Sequence, residues 1–289
     1  MEAMDKRLIW IAITALLTYG VLMGKPWETS GQPLTGANKS ELQKRQTKVK
    51  QEQVHQGNLV LVNLDNPVSE SVTKDNIMLA ERFKKTTIAM ADQDLRISER
   101  TAEPLLEMME AARKDGVGDF IINSGYRTLA EQEKLYVEQG TELAMPAGRS
   151  EHNLGLSVDI GSLSGKMNVT KEGRWLQENA WKYGFILRYP EGKTDVTGIQ
   201  YEPWHFRYVG LPHSAVMQQQ DMVLEEYLDY LKQTKSIKTT VDGKTYQIEY
   251  YEVQVQTEIP LPINRSYELS GNNRDGIIVT ISMEGGATR

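Results

Sequence analysis

The sequence predicts an α+β fold: a small mixed or antiparallel sheet with flanking helices, followed by a C-terminal β appendage. Three observations favour it. Short apolar runs of strand length alternate with amphipathic stretches of helical period between residues 58 and 233. Strand and turn patterns then dominate residues 234–289. At 289 residues, the chain can bury one substantial core and still carry an anchor, a linker and a small module.

The composition excludes some classes of function. The formal net charge is -6, whereas proteins that bind nucleic acid usually need a basic face. We therefore expect no nucleic-acid partner. The sequence has no Cys, so disulfides and thiolate metal sites are excluded, and any bound metal must use His and carboxylate ligands.

An apolar run at residues 8–24, preceded by Lys6 and Arg7, predicts a membrane anchor or signal segment over residues 1–24. The basic residues would keep the N-terminus in the cytoplasm and place the rest of the chain outside. No good small-x-small cleavage site follows, which favours an uncleaved single-pass anchor over a removed signal and a secreted protein. Residues 25–57 are mostly polar, which predicts a flexible linker with a solvated His55.

The folded domain is predicted over residues 58–233, and its elements follow from local patterns. Thr128 and Glu131 form a capping box that begins a helix ending near Gly140. Apolar and alternating runs predict strands at 59–62, 120–122, 155–160, 185–189 and 201–208. Helical periodicity predicts helices at 101–114, 175–183 and 217–231.

The last segment, residues 234–289, predicts a small β module or an extension of the main sheet. Asp242-Gly243 lies between two strand-like runs, as in a hairpin with a tight turn, and residues 277–281 predict a further strand. The segment contains no His, so we expect a packing or interaction role rather than a catalytic one.

Two short stretches, 150–159 and 201–205, contain the residue types of a catalytic zinc site. His152 and Asp159 are separated by six residues, and His205 lies downstream. Two imidazoles and a carboxylate can hold one zinc ion and leave a fourth position for water. Glu202 would then be the general base that takes the proton of that water and later passes it to the leaving amine.

Each of these residues alone is more often structural, since a single His commonly packs in a core and an Asp commonly forms a turn. Their grouping favours a site, because the whole chain has only four His residues. Strict strand alternation would place Glu202 and His205 on opposite faces. The hypothesis therefore requires an irregular backbone near Pro203, which cannot join an ordinary ladder.

The motif S-x-H-x-x-G-x-(A/S)-x-D at 150–159, followed by E-P-W-H at 202–205, resembles the VanY-type D-alanyl-D-alanine carboxypeptidases. These belong to a metallopeptidase group that includes VanX dipeptidases and the zinc fold of hedgehog signalling domains. The resemblance extends over roughly 58–230 and includes Ser124-Gly125-Tyr126-Arg127. Ser157 departs from the family, which usually has Ala there, and this hydroxyl could alter the packing beneath the metal.

The resemblance implies roles for further residues. It implies that His152, Asp159 and His205 bind the zinc. It also implies that Glu202 is the base and that Arg127 binds substrate and stabilises the transition state. A guanidinium can do so through paired hydrogen bonds. The weaker candidates for substrate binding are Gln132, Ser150, Tyr126 and Trp204.

The expected function is a membrane-anchored, outward-facing zinc D,D-carboxypeptidase that removes the terminal D-Ala of peptidoglycan stem pentapeptides. One Zn²⁺ ion would be its cofactor. Two alternatives stay open at this point. The same zinc chemistry can serve an L,D-carboxypeptidase or a stem-peptide endopeptidase, and the fold can serve a non-catalytic, zinc-containing wall-binding protein.

Overall fold

In this computed structural model, the two stretches with the predicted metal ligands, 150–159 and 201–205, lead into neighbouring strands of a five-stranded sheet. The structure describes residues 41–68, 77–79, 83, 88–92, 94–140 and 144–284. The described residues from Leu42 onward belong to one compact unit. The predicted anchor at 1–24 lies outside the described residues. Within the described ranges, no helix combines the length and apolar character needed to cross a membrane.

The strands form one central sheet and three smaller ones. The strands are β1 (Lys44–Val49), β2 (Ile77–Leu79), β3 (Ala89–Met90), β4 (Arg96–Ser98), β5 (Phe120–Ser124), β6 (Ser157–Ser162), β7 (Phe185–Leu187), β8 (His205–Tyr208), β9 (Ser236–Val241), β10 (Lys244–Glu252), β11 (Thr257–Pro262), β12 (Tyr267–Gly271) and β13 (Gly276–Ser282). In the central sheet the strand order is β3-β5-β6-β8-β7, with one parallel pair and the rest antiparallel, so the predicted mixed sheet and the α+β class are confirmed.

Helices flank the central sheet. The helices are α1 (Glu99–Lys114), α2 (Leu129–Gln139), α3 (Lys171–Asn179), α4 (Thr194–Thr197), α5 (His213–Gln220) and α6 (Leu224–Thr234), with short 3-10 helices at Gln51–His55, Glu151–Leu154 and Ala180–Tyr183. The predicted capping box is present at α2, where Thr128 and Glu131 bond each other's backbone amides. The single closing helix predicted at 217–231 is wrong, because Asp221 adopts a left-handed conformation (φ 51°) and ends α5.

One face of the central sheet is covered by α1, and this sets the direction of the site residues. Val158, Ile160 and Phe206 are fully buried in the same core cluster as the apolar stripe of α1. Since side chains alternate along a strand, Asp159 and His205 project from the opposite face.

Strands β9 to β13 provide the C-terminal β structure. β12, β13, β10 and β9 form a four-stranded antiparallel sheet. The predicted hairpin is present, and Asp242 and Gly243 at its turn both have positive φ. Ile248 and Ile278 of this sheet share one buried cluster with Leu59 and with α6. The domain limits of 58–233 and 234–289 stay predictions.

The predicted flexible linker over 25–57 is wrong for its last part. β1 pairs antiparallel with β11, more than two hundred residues later in the chain. Val49 and Val54 are buried with Ile259 and Leu261. His55, expected to be solvated, is half-buried and its Nδ1 bonds Asn273 Oδ1 at 2.7 Å. The polar composition of this segment did not reveal its ordered structure, because only a few of its side chains enter the core.

The strand predicted at residues 59–62 is also wrong, although its burial is correct. Leu59 and Leu61 are fully buried, but the segment joins no sheet. Its backbone groups are satisfied by other means: Arg207 Nη2 donates to the carbonyls of Asn58 and Val60, and Asn273 Nδ2 donates to the Leu61 carbonyl. Buried backbone needs partners, and here side chains supply them.

Candidate metal centre

Neighbouring strands bring the three predicted ligands together. Asp159 on β6 and His205 on β8 are direct cross-strand partners, and His152 lies on the 3-10 helix that leads into β6. One ligand atom from each lies within 4.8 Å of the others, and the two imidazole rings meet edge to face. The three side chains therefore converge on one point.

The ring of His152 is oriented by backbone. Its Nδ1 lies 2.6 Å from the Gly125 carbonyl oxygen, so Nδ1 donates its proton there, and Nε2, 3.3 Å from Asp159 Oδ2, stays open as a ligand atom. Gly125 is required at this position, because a Cβ would lie 2.3 Å from the Arg96 carbonyl oxygen. The close backbone approach thus fixes the ring.

The ring of His205 is turned the other way. Its Nδ1 lies 3.2 Å from Asp159 Oδ1 and 3.6 Å from Glu202 Oε2. Its Nε2 faces Glu151 Oε2 at 3.4 Å. His205 therefore presents Nδ1 to the point of convergence, whereas His152 presents Nε2.

The donor set fits a zinc ion. Asp159 Oδ1 is buried and has no hydrogen-bond partner among the described residues, as expected for an oxygen that binds a cation. Burial alone would raise the pKa of Asp159, but His152 and His205 outweigh burial and lower it, so the carboxylate is ionised. Two imidazole nitrogens and one carboxylate oxygen are a usual zinc set that leaves one position open.

The pKa values of the two imidazoles shift in opposite directions. Burial lowers the pKa of His152, and Arg127 adds to the effect, although Asp159 opposes it. For His205, burial is outweighed by the nearby carboxylates of Asp159 and Glu151, which raise its pKa to about 9. The carboxylates around His205 therefore favour a positive charge at this point, either a proton or a metal cation.

Glu202 lies beside the ligands at the end of a turn. β8 begins only at His205, so the strand start predicted at 201 is wrong. The His205 amide donates to the Glu202 carbonyl at 3.1 Å, which closes a turn around Pro203, the irregular backbone that the hypothesis required. Burial raises the pKa of Glu202, as do Asp159 and Glu151, while His205 opposes them.

Arg127 lies at the corner between β5 and α2, and its backbone is held on both sides. The Arg127 amide donates to the His152 carbonyl at 3.1 Å, and the Arg127 carbonyl accepts from Asn153 Nδ2 at 2.8 Å. Its Nη2 is 4.0 Å from Asp159 Oδ2, and its buried Nε has no partner among the described residues. The guanidinium thus keeps donors for a ligand next to the metal position.

The candidate centre opens into a cavity of about 940 Å³. Four of the five residues predicted to contact substrate line it, namely Arg127, Gln132, Ser150 and Trp204, and Trp204 is 42% exposed. Gln132 donates from Nε2 to the Met145 carbonyl, while its buried Oε1 has no partner among the described residues. Tyr126 is not in the lining; its ring packs against the Arg96 guanidinium, so its predicted substrate role has no structural support.

Sequence patterns missed a set of buried charges. Glu151, Arg188 and Arg207 are each no more than 1% exposed and pair with one another behind His205. Arg207 shares the strand parity of His205, and this was the signal available in the sequence. His213, which is not one of the predicted ligands, is also buried; it bonds Tyr227 at 2.7 Å and Thr280 at 2.8 Å.

Comparisons with known proteins agree with this geometry. A family model described as VanY, D-alanyl-D-alanine carboxypeptidase, matches residues 94–211. A D-alanyl-D-alanine carboxypeptidase of Enterococcus faecium is 54% identical over 235 residues, which cover 81% of this chain and 78% of that protein.

Two solved structures are similar as well. The vancomycin resistance D,D-dipeptidase VanXYg, in complex with a D-Ala-D-Ala phosphinate analog, matches with TM-score 0.73 and 30% identity, covering 83% of this chain and 99% of that one. A mutant of the D,D-pentapeptidase VanY from a VanB-type resistance cassette, in complex with Zn(II), matches with TM-score 0.51 and 34% identity, covering 59% of this chain and 98% of that one.

Proposed function

The chain belongs to the VanY family of D-alanyl-D-alanine carboxypeptidases and is a D,D-carboxypeptidase of that type, and we propose that it hydrolyses the terminal D-Ala-D-Ala bond of peptidoglycan stem pentapeptides with one zinc ion. The observation that carries the proposal is the convergence of His152, Asp159 and His205 within 4.8 Å at the wall of a large cavity. These three residues would hold the ion. Zinc in such a site supplies Lewis-acid chemistry, making water a stronger acid and polarising a carbonyl.

In this proposal Glu202 moves the protons. Its carboxylate oxygen lies 3.6 Å from His205 Nδ1, so it stands beside the place where water would attack. It accepts the proton of the attacking water and donates it to the nitrogen of the departing D-Ala. Its raised pKa, due first to burial, makes it a better base than a solvated Glu.

Arg127 and the cavity wall would orient the peptide. The guanidinium would donate to the oxygen that gains negative charge at the attacked carbonyl, where a preorganised donor needs no reorganisation during the reaction. Ser150 and Gln132 would offer polar contacts for the peptide backbone, and Trp204 would offer an apolar wall. The stem peptide would therefore lie along the cavity with the carbonyl of its penultimate D-Ala between Glu202 and Arg127.

The test is hydrolysis of a defined stem pentapeptide by the purified full-length chain, followed by mass spectrometry. We expect release of a single D-Ala, loss of activity after dialysis against a chelator, and recovery on addition of zinc. Release that persists in protein shown to be free of metal would overturn the zinc mechanism.

The alternatives predict different products. Shortening of a tetrapeptide in preference to a pentapeptide would indicate an L,D-carboxypeptidase, and internal cleavage of the stem would indicate an endopeptidase. Binding of the peptide without any product would indicate a non-catalytic wall-binding protein. Glu202 favours catalysis, because a purely structural zinc site needs no base beside it.

We also propose that the enzyme works at the outer face of a bacterial membrane, held there by the apolar run at residues 8–24. The motivation is the position of Lys6 and Arg7 ahead of this run. Membrane fractionation of cells, with protease added to intact cells from outside, tests it: we expect a membrane-bound chain that the protease degrades. A chain found in the soluble cytosolic fraction would contradict the location.

A further inference from the structure

Four buried charges form a cluster behind the candidate metal centre. Arg188 Nε and Arg207 Nη1 donate to the same oxygen of Glu151, Oε1, at 2.8 and 2.7 Å. Arg188 also donates two hydrogen bonds to Glu225, at 2.9 and 2.6 Å. Two guanidinium groups thus balance two carboxylates, which is the condition for burying such charges.

Glu151 differs from Glu225 in what its second oxygen meets. With Oε1 occupied by the two arginines, Oε2 accepts a hydrogen bond from Ser157 Oγ at 3.0 Å and faces His205 Nε2 at 3.4 Å. The described contacts of the Glu225 carboxylate are with Arg188, and none of them involves a ligand. Only one of the two carboxylates therefore reaches the metal site.

The two histidines need different supports because they present different nitrogens. His152 keeps its proton on Nδ1, opposite the Gly125 carbonyl oxygen. His205 must present Nδ1, which faces Asp159 and Glu202, so its proton must be on Nε2. A neutral imidazole carries one proton, and the acceptor that holds it decides which nitrogen is left with a lone pair.

We infer that Glu151 is a positioning residue for the metal centre: its carboxylate holds the proton of His205 on Nε2 and so directs the Nδ1 lone pair toward the zinc. This inference rests on the proposed zinc function. Arg188 and Arg207 donate to Oε1 of Glu151, and Ser157 donates to Oε2, so both carboxylate oxygens act as acceptors. A carboxylate that only accepts hydrogen bonds cannot stabilise the other tautomer.

The test compares Glu151→Gln with Glu225→Gln in the full-length protein. Both substitutions remove one charge from a partner of Arg188 and keep the side-chain size, but only the first affects the contact with His205. An introduced amide that turns its NH₂ group toward Nε2 of His205 would favour the wrong tautomer. The readout is zinc affinity, measured by competition with a chromophoric chelator.

We expect Glu151→Gln to weaken zinc binding by about 10–100-fold, as is usual when the hydrogen-bond partner of a zinc-bound His is lost. Glu225→Gln should change zinc affinity by no more than about threefold, which is well below the 10–100-fold effect. Thermal unfolding of the metal-free variants shows whether both lose similar stability. Equal zinc affinity in the two variants would overturn the inference while leaving the proposed function intact.

A second measurement covers the case in which Glu151→Gln does not fold. In wild-type protein with ¹⁵N-labelled histidine and bound zinc, the imidazole NMR signals of His205 should show that the proton is on Nε2 and is hydrogen-bonded. A proton on Nδ1 would overturn the inference. Wild-type protein that binds no zinc would overturn both the inference and the proposed function.

Discussion

His205 Nδ1 lies 3.6 Å from Oε2 of Glu202, three residues earlier in the chain. In a continuous strand these two side chains would project from opposite faces of the sheet. Instead β8 begins at His205, and the bond from its amide to the Glu202 carbonyl closes a turn at Pro203. The turn places the proposed base and a proposed ligand on the same side.

Glu202→Gln should reduce kcat by about 10²–10⁴-fold, because the amide has the size of the carboxylate but cannot take a proton. Zinc content, measured by atomic absorption, should equal that of the wild type. The matched control is Glu191→Gln, which changes an exposed carboxylate after β7 and should leave kcat unchanged. Full activity of the Glu202 variant would remove it from the mechanism.

Arg127→Ala should lower kcat/KM by about 10²–10³-fold, the usual effect of losing one donor to a developing oxyanion. Arg127→Lys should recover only part of this, because an ammonium cannot donate in the paired geometry of a guanidinium. Steady-state kinetics with the pentapeptide measure both, and exposed Arg113→Ala is the control. An unchanged rate would leave Arg127 with a structural role only.

Gly125→Ala should weaken zinc binding although residue 125 is not a ligand. The added Cβ would lie 2.3 Å from the Arg96 carbonyl oxygen, so the backbone must shift and move the carbonyl that orients His152. Gly118→Ala is the matched control, because its Cβ would meet nothing within 4 Å. Chelator competition and thermal unfolding check both variants; equal zinc affinity would show that His152 does not depend on this carbonyl.

Stability should fall in mild acid because of His213. Burial lowers the pKa of His213 from 6.5 to about 3, so below pH 6.5 the unfolded chain binds this proton more readily than the folded chain. The free energy of unfolding should therefore decrease by about 1.4 kcal/mol per pH unit as pH falls from 6.5 toward 3.

At pH 5 the expected loss from this one residue is about 2 kcal/mol relative to neutral pH. Denaturant unfolding at pH 7 and pH 5 measures it. His213→Gln should be less stable at pH 7 but should lose less stability between pH 7 and pH 5. The same acid loss in the His213 variant would refute this assignment.

Of two shortened chains, one beginning at Leu42 and one beginning at Asn58, the second should be markedly less stable. The second deletion removes β1 and leaves β11 without its partner strand. It also removes Val49 and Val54 from a buried cluster, worth about 3–6 kcal/mol together. Thermal unfolding of the two shortened chains tests this, and equal midpoints would restore the linker interpretation for residues 42–57.

The features that could be predicted from the sequence are those decided by near neighbours. The capping box of Thr128 and Glu131 and the turn at Asp242 depend on contacts within a few residues, and both were found as expected. By contrast, β1 pairs with a strand more than two hundred residues away, and residues 59–62 receive hydrogen bonds from Arg207 and Asn273. No local pattern reveals such partners.

The same distinction applies to the candidate site. His152, Asp159 and His205 could be selected because they are rare ligand types in a compact motif, and the structure brings them together. Glu151 could not, because a charged residue next to a His is usually solvated. Its burial depends on Arg207 of β8 and on Arg188, which directly follows β7.

The acceptor that orients His152 is a main-chain carbonyl, and the one facing His205 is a carboxylate side chain. A point mutation can delete a carboxylate, but every amino acid at position 125 would still carry a carbonyl. A substitution at Glu151 can therefore remove the acceptor itself, whereas a substitution at position 125 can only shift it. The surroundings of His205 are thus more open to side-chain substitution than those of His152.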